Sequence, residues 1–533
     1  MFPYEPFESG VDALRLLVLL PRSSPKDKGI NCELHNRAFG SKPAYEALSY
    51  TWGTQPATKT IAINGQPFLV RSNLYSALQA LRLKKKPRAL WVDAICINQD
   101  DMAERNWQVS LMAFVYTRAE RVLAWLGTSP PNSQSGFFSD EQWYAMSHNP
   151  YWTRLWIIQE LVLAHEVVFC LGNNSFDWER VQSTMNPEWR ALEGRSNAIK
   201  KLRDERYTSA RRLENLVEQF RKAQCTEKRD KIYGFLGLVY DRSDKAITVD
   251  YKIGFAQLYA QVIRFHQATP APSDSPFSAD IDRAVKLVKF SQLIQSILGD
   301  AVAEEAQSKT GVDWPKTLYT ARGFIAGEII LLGPTPTEIV SSVRSDKAWR
   351  QAISEAYRES SELQQVRNTY AAFSQTILSW DERRLGKIKE LYSKFSFGYR
   401  LGAGEEDSQF GKDGTVTADA PEARLFVGTK SLLGVAPPNA RIGDLICTFL
   451  GSNVTLVLRK VAETEDRYMF VGRAERFREE TDDSNGDSDV EYGMERDFGE
   501  LTIEERQHAA EDASFQNFIS LKIDLETLQK LSA

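Results

Sequence analysis

Along the first 180 residues, short apolar runs rich in Leu, Val and Ile alternate with stretches in which apolar side chains return every three or four positions. The first spacing suits buried strands and the second suits amphipathic helices, so the pattern predicts an α/β domain whose mainly parallel sheet is covered by helices. Strands are predicted at 14–20, 47–51, 60–63, 89–93, 122–126 and 167–170, and helices at 73–84, 101–118 and 151–164. Asp101 and Glu104 stand at the spacing of a capping box, which sets the start of the second helix.

The pattern changes further along. Residues 1–185 read as the α/β domain and 186–267 as a charged helical extension, while 268–280 (Pro- and Ser-rich) read as a linker. Residues 281–415 return to helical periodicity with one apolar stretch at 323–333. Residues 416–478 hold short alternating runs broken by Gly, Pro and Asn, as expected of a small antiparallel barrel or sandwich. An acidic disordered insert at 479–507 and a C-terminal helix at 508–533 complete the prediction.

Composition narrows the class of function. Of 533 residues, 42% are hydrophobic and 26% charged, an ordinary globular balance. The stretch 479–505 concentrates twelve acids and one base, which leaves the rest of the chain mildly basic. That excess is spread without an Arg/Lys stripe among aromatics, so no nucleic acid is expected as partner. The DDSNGDSD core of the insert fails as a calcium loop, because aligning Gly486 puts Thr481 and Tyr492 where Asp and Glu are required. The five cysteines are far apart and predict reduced thiols, not disulfides or a metal knuckle. No histidine pair has metal-ligand spacing. With no bilayer-length apolar run and acids where a signal peptide carries bases, the expectation is a soluble cytoplasmic chain without a membrane span.

Glycine-rich nucleotide fingerprints and the G-x-S-x-G elbow are absent. Polar and aromatic residues do cluster at the carboxyl ends of the predicted strands, where open parallel sheets hold ligands. The first cluster is Ser49-Tyr50-Thr51-Trp52-Gly53, in which Gly53 permits a tight turn and Tyr50 and Trp52 offer flat faces or fill the core. The second holds Asp93 at a strand end, followed by Asn98, Gln99 and Asp100 before a helix; Asp100 and Asp101 also suit helix capping. Cys96, between them, reads as a buried strand-end thiol before a nucleophile. In the third, Glu160 lies among apolar residues one turn after Trp156. A rigid, desolvated acid of this kind can stabilise an oxocarbenium-like centre in glycosidic cleavage, or can be a structural partner for Arg154.

At these residues the chain resembles the fungal heterokaryon incompatibility (HET) domain family. The carriers are Tyr45-Glu46-Ala47-Leu48-Ser49-Tyr50-Thr51-Trp52-Gly53, Leu90-Trp91-Val92-Asp93-Ala94-Ile95-Cys96-Ile97-Asn98-Gln99-Asp100, Glu104-Arg105, Gln108-Val109, Met112, Ala124-Trp125-Leu126-Gly127 and Arg154-Leu155-Trp156-Ile157-Ile158-Gln159-Glu160-Leu161. The downstream Arg229-Asp230-Lys231-Ile232-Tyr233-Gly234 fits the extended architecture of such proteins. The resemblance implies a role in nonself recognition, where fusion of unlike cells triggers growth arrest or death. Trp156-x-x-x-Glu160-Leu161 is also similar to the W-C-x-x-E-L segment of TIR domains, whose Glu cleaves NAD+ at the nicotinamide–ribose bond; Ile157 stands in place of the Cys.

Together these resemblances imply a TIR/flavodoxin-like α/β domain that hydrolyses NAD+ as substrate, with no cofactor and no metal. Glu160 is the implied catalytic carboxylate, and Tyr50, Trp52, Gly53, Asp93, Asn98 and Trp156 the implied substrate-binding residues. Self-association through the HET domain and an incompatibility partner protein are the expected interactions. The rival expectation is a non-enzymatic signalling or adaptor module, in which Glu160 is structural; a decayed paralogue with neither activity is a third.

Overall fold

The computed structural model describes residues 2–8, 10–22, 29–128, 144, 146–183, 190–205, 211–239, 247–269, 276–299, 301–306, 314, 317–386, 399–400, 422–449, 452, 454–460, 468–477 and 518–532. The chain divides into two compact units, Met1–Pro270 and Ala271–Ala533. The acidic insert expected at 479–507 lies outside the described residues. Among the described residues no helix is long and apolar enough to cross a membrane.

The first unit is built on β1 (Ala13–Leu19), β2 (Asn31–Ala38), β3 (Glu46–Tyr50), β4 (Lys59–Ile63), β5 (Gln66–Val70), β6 (Arg88–Trp91), β7 (Val122–Trp125), β8 (Val167–Leu171) and β9 (Asn174–Asp177). They form one sheet in the order β5-β4-β2-β1-β6-β3-β7-β8-β9. All the predicted strands are present, but the sheet is mixed, which corrects the expectation of a mainly parallel one. The pairs β2–β4, β3–β6, β3–β7 and β7–β8 are parallel, and β1–β2, β1–β6, β4–β5 and β8–β9 are antiparallel.

Strands β2 and β5 escaped the pattern for physical reasons. β2 buries only Cys32 and Leu34 fully, so most of its side chains are polar. β5 follows β4 through Asn64-Gly65, both at positive φ, the turn that matches strand twist in a tight hairpin. Within the parallel core the register sets Tyr50 opposite Trp125 and Trp125 opposite Cys170, so the carboxyl ends of these strands lie level.

The helices Ser72–Leu81 and Met102–Arg118 form as predicted. Asp101 caps the second, accepting from the Ala103 and Glu104 amides. The box is not reciprocal, because Glu104 turns instead to Arg15. The helix expected over 151–164 is broken into a 3-10 turn, Pro150–Thr153, and a short helix, Ile157–Leu163. At the break the Leu155 amide donates to the Gln224 carbonyl, 2.8 Å, a long-range bond that local periodicity does not encode.

In the second unit β10 (Tyr319–Leu332), β11 (Tyr399–Arg400), β12 (Arg424–Gly428), β13 (Leu432–Ala436), β14 (Leu445–Thr448), β15 (Thr455–Lys460), β16 (Tyr468–Arg476) and β17 (Phe518–Ile523) form an antiparallel sheet. The path β16-β13-β12-β10-β14-β15 closes through β15–β16 into a small barrel, which removes exposed strand edges. Its interior is lined by residues such as Ala326, Phe426, Ala436, Ile446 and Val471. The helical reading of 281–415 is corrected at β10, whose alternating burial has the period of a strand. The helix expected over 508–533 is confined, within the described residues, to Leu525–Ser532 after β17. The helix Pro276–Leu298 packs on that terminal helix through Ser291–Ser532 and Gln295–Gln529 hydrogen bonds.

Candidate functional site

Glu160 sits on the helix that crosses over from β7 to parallel β8. The crossover begins at Asn149, whose side chain accepts from the Tyr151 amide and donates to the Leu126 carbonyl, fixing the turn to the end of β7. Pro150 at the first helical position is preorganised for that turn. The helix ends at Ala164, where Arg203 donates to the Leu161 and His165 carbonyls at 2.8 and 2.7 Å. Side chains thus pin the start of the 3-10 turn and the end of the seven-residue helix that carries Glu160.

The Glu160 carboxylate is 1% exposed. It accepts from the Ser49 hydroxyl, which also bonds the Tyr151 hydroxyl at 2.6 Å, and Tyr116 reaches it as well. Arg154 approaches it at 3.9 Å. Burial raises its pKa from 4.5 to about 7, Arg154 and Ser49 pull it down, and Asp93 adds to the rise. Near neutral pH the group therefore passes between acid and carboxylate, as acid–base and charge-stabilising groups do in enzymes.

Asp93 opens a short helical turn, Asp93–Cys96, beyond the end of β6. One carboxylate oxygen accepts from the Trp52 indole at 2.9 Å and the other from the Ala94 amide at 2.7 Å, and the Tyr50 hydroxyl also reaches the group. Unlike Glu160 it is partly exposed. Burial raises its pKa against the pull of Arg154. Arg154 feels both carboxylates, which raise its own pKa against the effect of burial. One guanidinium acting on two acids, one sealed and one partly exposed, is the core of the arrangement.

The other expected site residues divide. Trp52 lies beside Asp93 with the Arg71 guanidinium 5.6 Å from its ring centroid. Gly53 is at φ 75° and its carbonyl anchors Arg71 at 2.8 Å, so its value is the turn. Tyr50 is 2% exposed; its ring fills the core and only its hydroxyl joins the cluster. Asn98 is held by Glu104, which accepts from its amide at 2.7 Å, and serves the turn after Asp93. Trp156 is turned away, donating to Asp230 at 3.1 Å, so the shared helix face expected with Glu160 is not used. Cys96 is buried and its thiol is pushed up to about 12, mainly by burial, the condition of an inert cysteine. Among the described residues no three His, Cys, Asp or Glu side chains gather as a metal site.

Ser49 and Tyr151 are the partners that residue pattern alone did not single out. The signal was a hydroxyl inside an otherwise apolar strand, since a buried polar group requires a partner. Arg154 was visible as the structural partner of Glu160, and it does pair with it.

The family model of heterokaryon incompatibility proteins (HET) matches residues 45–145. That stretch carries Ser49, Tyr50, Trp52 and Asp93 and stops short of Tyr151, Arg154 and Glu160. Heterokaryon incompatibility protein 6, OR allele, of Neurospora crassa is 25% identical over 348 residues, which covers 47% of this chain and 51% of that protein. The chain thus spans about half the length of the curated relative it matches. No solved structure matches it. The motifs at the ends of β3 and β6 thus lie within a stretch similar to the heterokaryon incompatibility (HET) family, and a protein of that kind is similar over about half of the chain.

Proposed function

We propose that the chain is an effector of fungal nonself recognition and programmed cell death whose HET domain works in a TIR-like manner, hydrolysing NAD+ at the nicotinamide–ribose bond. The observation that carries this reading is Glu160: a carboxyl titrating near 7, fixed at the carboxyl edge of parallel strands and facing Arg154. As the C–N bond breaks, the carboxylate stabilises positive charge on the anomeric carbon, nicotinamide leaves with the bond's electron pair, and water adds to give ADP-ribose and a proton. Ser49 and Tyr151 hold positions on the carboxylate that ribose hydroxyls take in the complex. Asp93 and Trp52 receive the sugar and a ring on the open side. The closed state of Glu160 fits a resting form that self-association through the HET domain, or an incompatibility partner, releases.

The same burial favours a second reading, an adaptor module acting through protein contacts, because every partner named for Glu160 is internal. The two separate in one experiment: NAD+ consumption by purified full-length protein at high concentration, with nicotinamide release followed by chromatography. Wild type is expected to turn over NAD+, more rapidly as pH rises through about 7, and Glu160→Gln to lose at least about a hundredfold in kcat. No turnover by wild type, with lethality on expression kept in both proteins, establishes the adaptor instead.

A further inference from the structure

We infer that Asp230 is a positioning residue for the turn that carries Arg154 and Glu160, and that together with Arg195, Gln224 and Tyr251 it clamps this turn in place. The inference rests on the function proposed above only for its kinetic readout. Residues 154–156 are irregular backbone between two short helical pieces, so they have few local bonds to define them. What defines them comes from later in the chain. Arg195 donates to the Trp152 carbonyl at 2.6 Å. The Gln224 amide donates to the Thr153 carbonyl at 2.6 Å, its carbonyl accepts from Leu155 at 2.8 Å, and its side chain accepts from the Thr153 hydroxyl at 3.0 Å.

Asp230 closes the set. It is 7% exposed, and its two oxygens accept from the Trp156 indole at 3.1 Å and from the Tyr251 hydroxyl at 2.7 Å. Trp156 directly precedes the Glu160 helix, and its carbonyl takes the Glu160 amide at 3.1 Å. Tyr251 in turn is tied to the helix Met102–Arg118, with the Arg105 guanidinium 3.9 Å above its ring and its amide on Asn106 at 3.2 Å. Asp230 thus joins the Glu160 turn to the helix that carries Tyr116, which also reaches Glu160. None of these anchoring groups except Arg105 and Asn106 falls within residues 45–145, the stretch the family model matches.

The donors make the test selective. An indole N–H only donates, whereas a phenol also accepts, so Asp230→Asn satisfies both with its oxygen on Trp156 and its amide on Tyr251. Asp230→Ala leaves the indole N–H buried and unpaired. In full-length protein, hydrogen exchange across 150–165 is expected to quicken about tenfold in Asp230→Ala, with β3 and β7 unchanged and Asp230→Asn at the wild-type rate. NAD+ turnover is expected to show kcat down about tenfold with KM within about twofold, restored in Asp230→Asn. Trp156→Phe, which removes the donor, is expected to loosen the same segment and serves if Asp230→Ala does not fold. Unchanged exchange across 150–165 in either variant, loosening that spreads equally through the sheet, or an Asn variant as defective as Ala overturns the inference. If wild type turns over no NAD+, the proposed reaction fails while the exchange data still decide the clamp.

Discussion

Burial of Glu160 beneath Ser49, Tyr151 and Arg154 gives its charge a cost, and the sign of that cost is testable. A carboxyl whose folded pKa lies above its unfolded value binds its proton more tightly when folded. Its contribution to stability is therefore full below pH 4.5 and is lost as pH rises from there through about 7. Glu160→Gln removes the ionisation while keeping an acceptor for Ser49. The variant is expected to be more stable than wild type at pH 8 by an amount on the order of 3 kcal/mol, and to lose that advantage by pH 4.5. Thermal denaturation of both proteins across this range measures it; a pH-independent difference would show that Glu160 titrates normally. The same substitution would thus raise stability while removing turnover, the trade expected where a strained charge serves function.

At the scale of elements, the small barrel depends on residues without side chains where strands cross closely. A Cβ at Gly434 of β13 would run into the Glu475 carbonyl oxygen of β16, and backbone in a closed barrel has little room to yield. Gly434→Ala is expected to destabilise the second unit by about 3 kcal/mol or more, read as a lower unfolding midpoint by near-UV circular dichroism. A midpoint within a degree of wild type would mean that β13 and β16 separate freely there. The same scale accounts for the broken Glu160 helix. Its residues have helical periodicity from 151 to 164, yet a strand-like bridge from Arg154 to Gln224 competes successfully for the backbone. Tertiary hydrogen bonding outweighs the small free-energy preference of a single helical turn.

For the molecule as a whole, the first unit extends to Pro270, well past the end of β9. Ile157, Ile158 and Leu161 are fully buried, and the helices Arg190–Asp204 and Asp230–Leu236 pack against their helix. Leu155 lies against Gly234, where even one added carbon would touch it at 3.0 Å. A fragment of residues 1–185 loses this cover and is expected to aggregate or to unfold without a cooperative transition, whereas residues 1–270 are expected to unfold cooperatively. Calorimetry of the two fragments decides it, and a sharp transition in the shorter one would sink the idea that later residues complete the unit.

Much of the first unit is legible in its sequence. Apolar runs placed β1, β3, β6, β7 and β8, because a strand buried on both faces is apolar nearly throughout, and β4 showed through its alternating Ile61 and Ile63. The motifs ending β3 and β6 lie within the stretch that the HET family model matches. Half-exposed strands such as β2 were not legible, since their pattern matches that of polar loops. Nor were the hydroxyl groups around Glu160, although Arg154 was. Residue spacing along one segment predicts which side chains share a helix face, but Ser49 and Tyr151 lie 102 residues apart and Trp156 and Asp230 lie 74 apart. Local periodicity thus determined most of the elements and where the acids stand in them, whereas only chain closure decided that Glu160 is sealed, Asp93 partly exposed and Arg154 charged against both, because desolvation and charge pairing depend on distances that sequence order does not record.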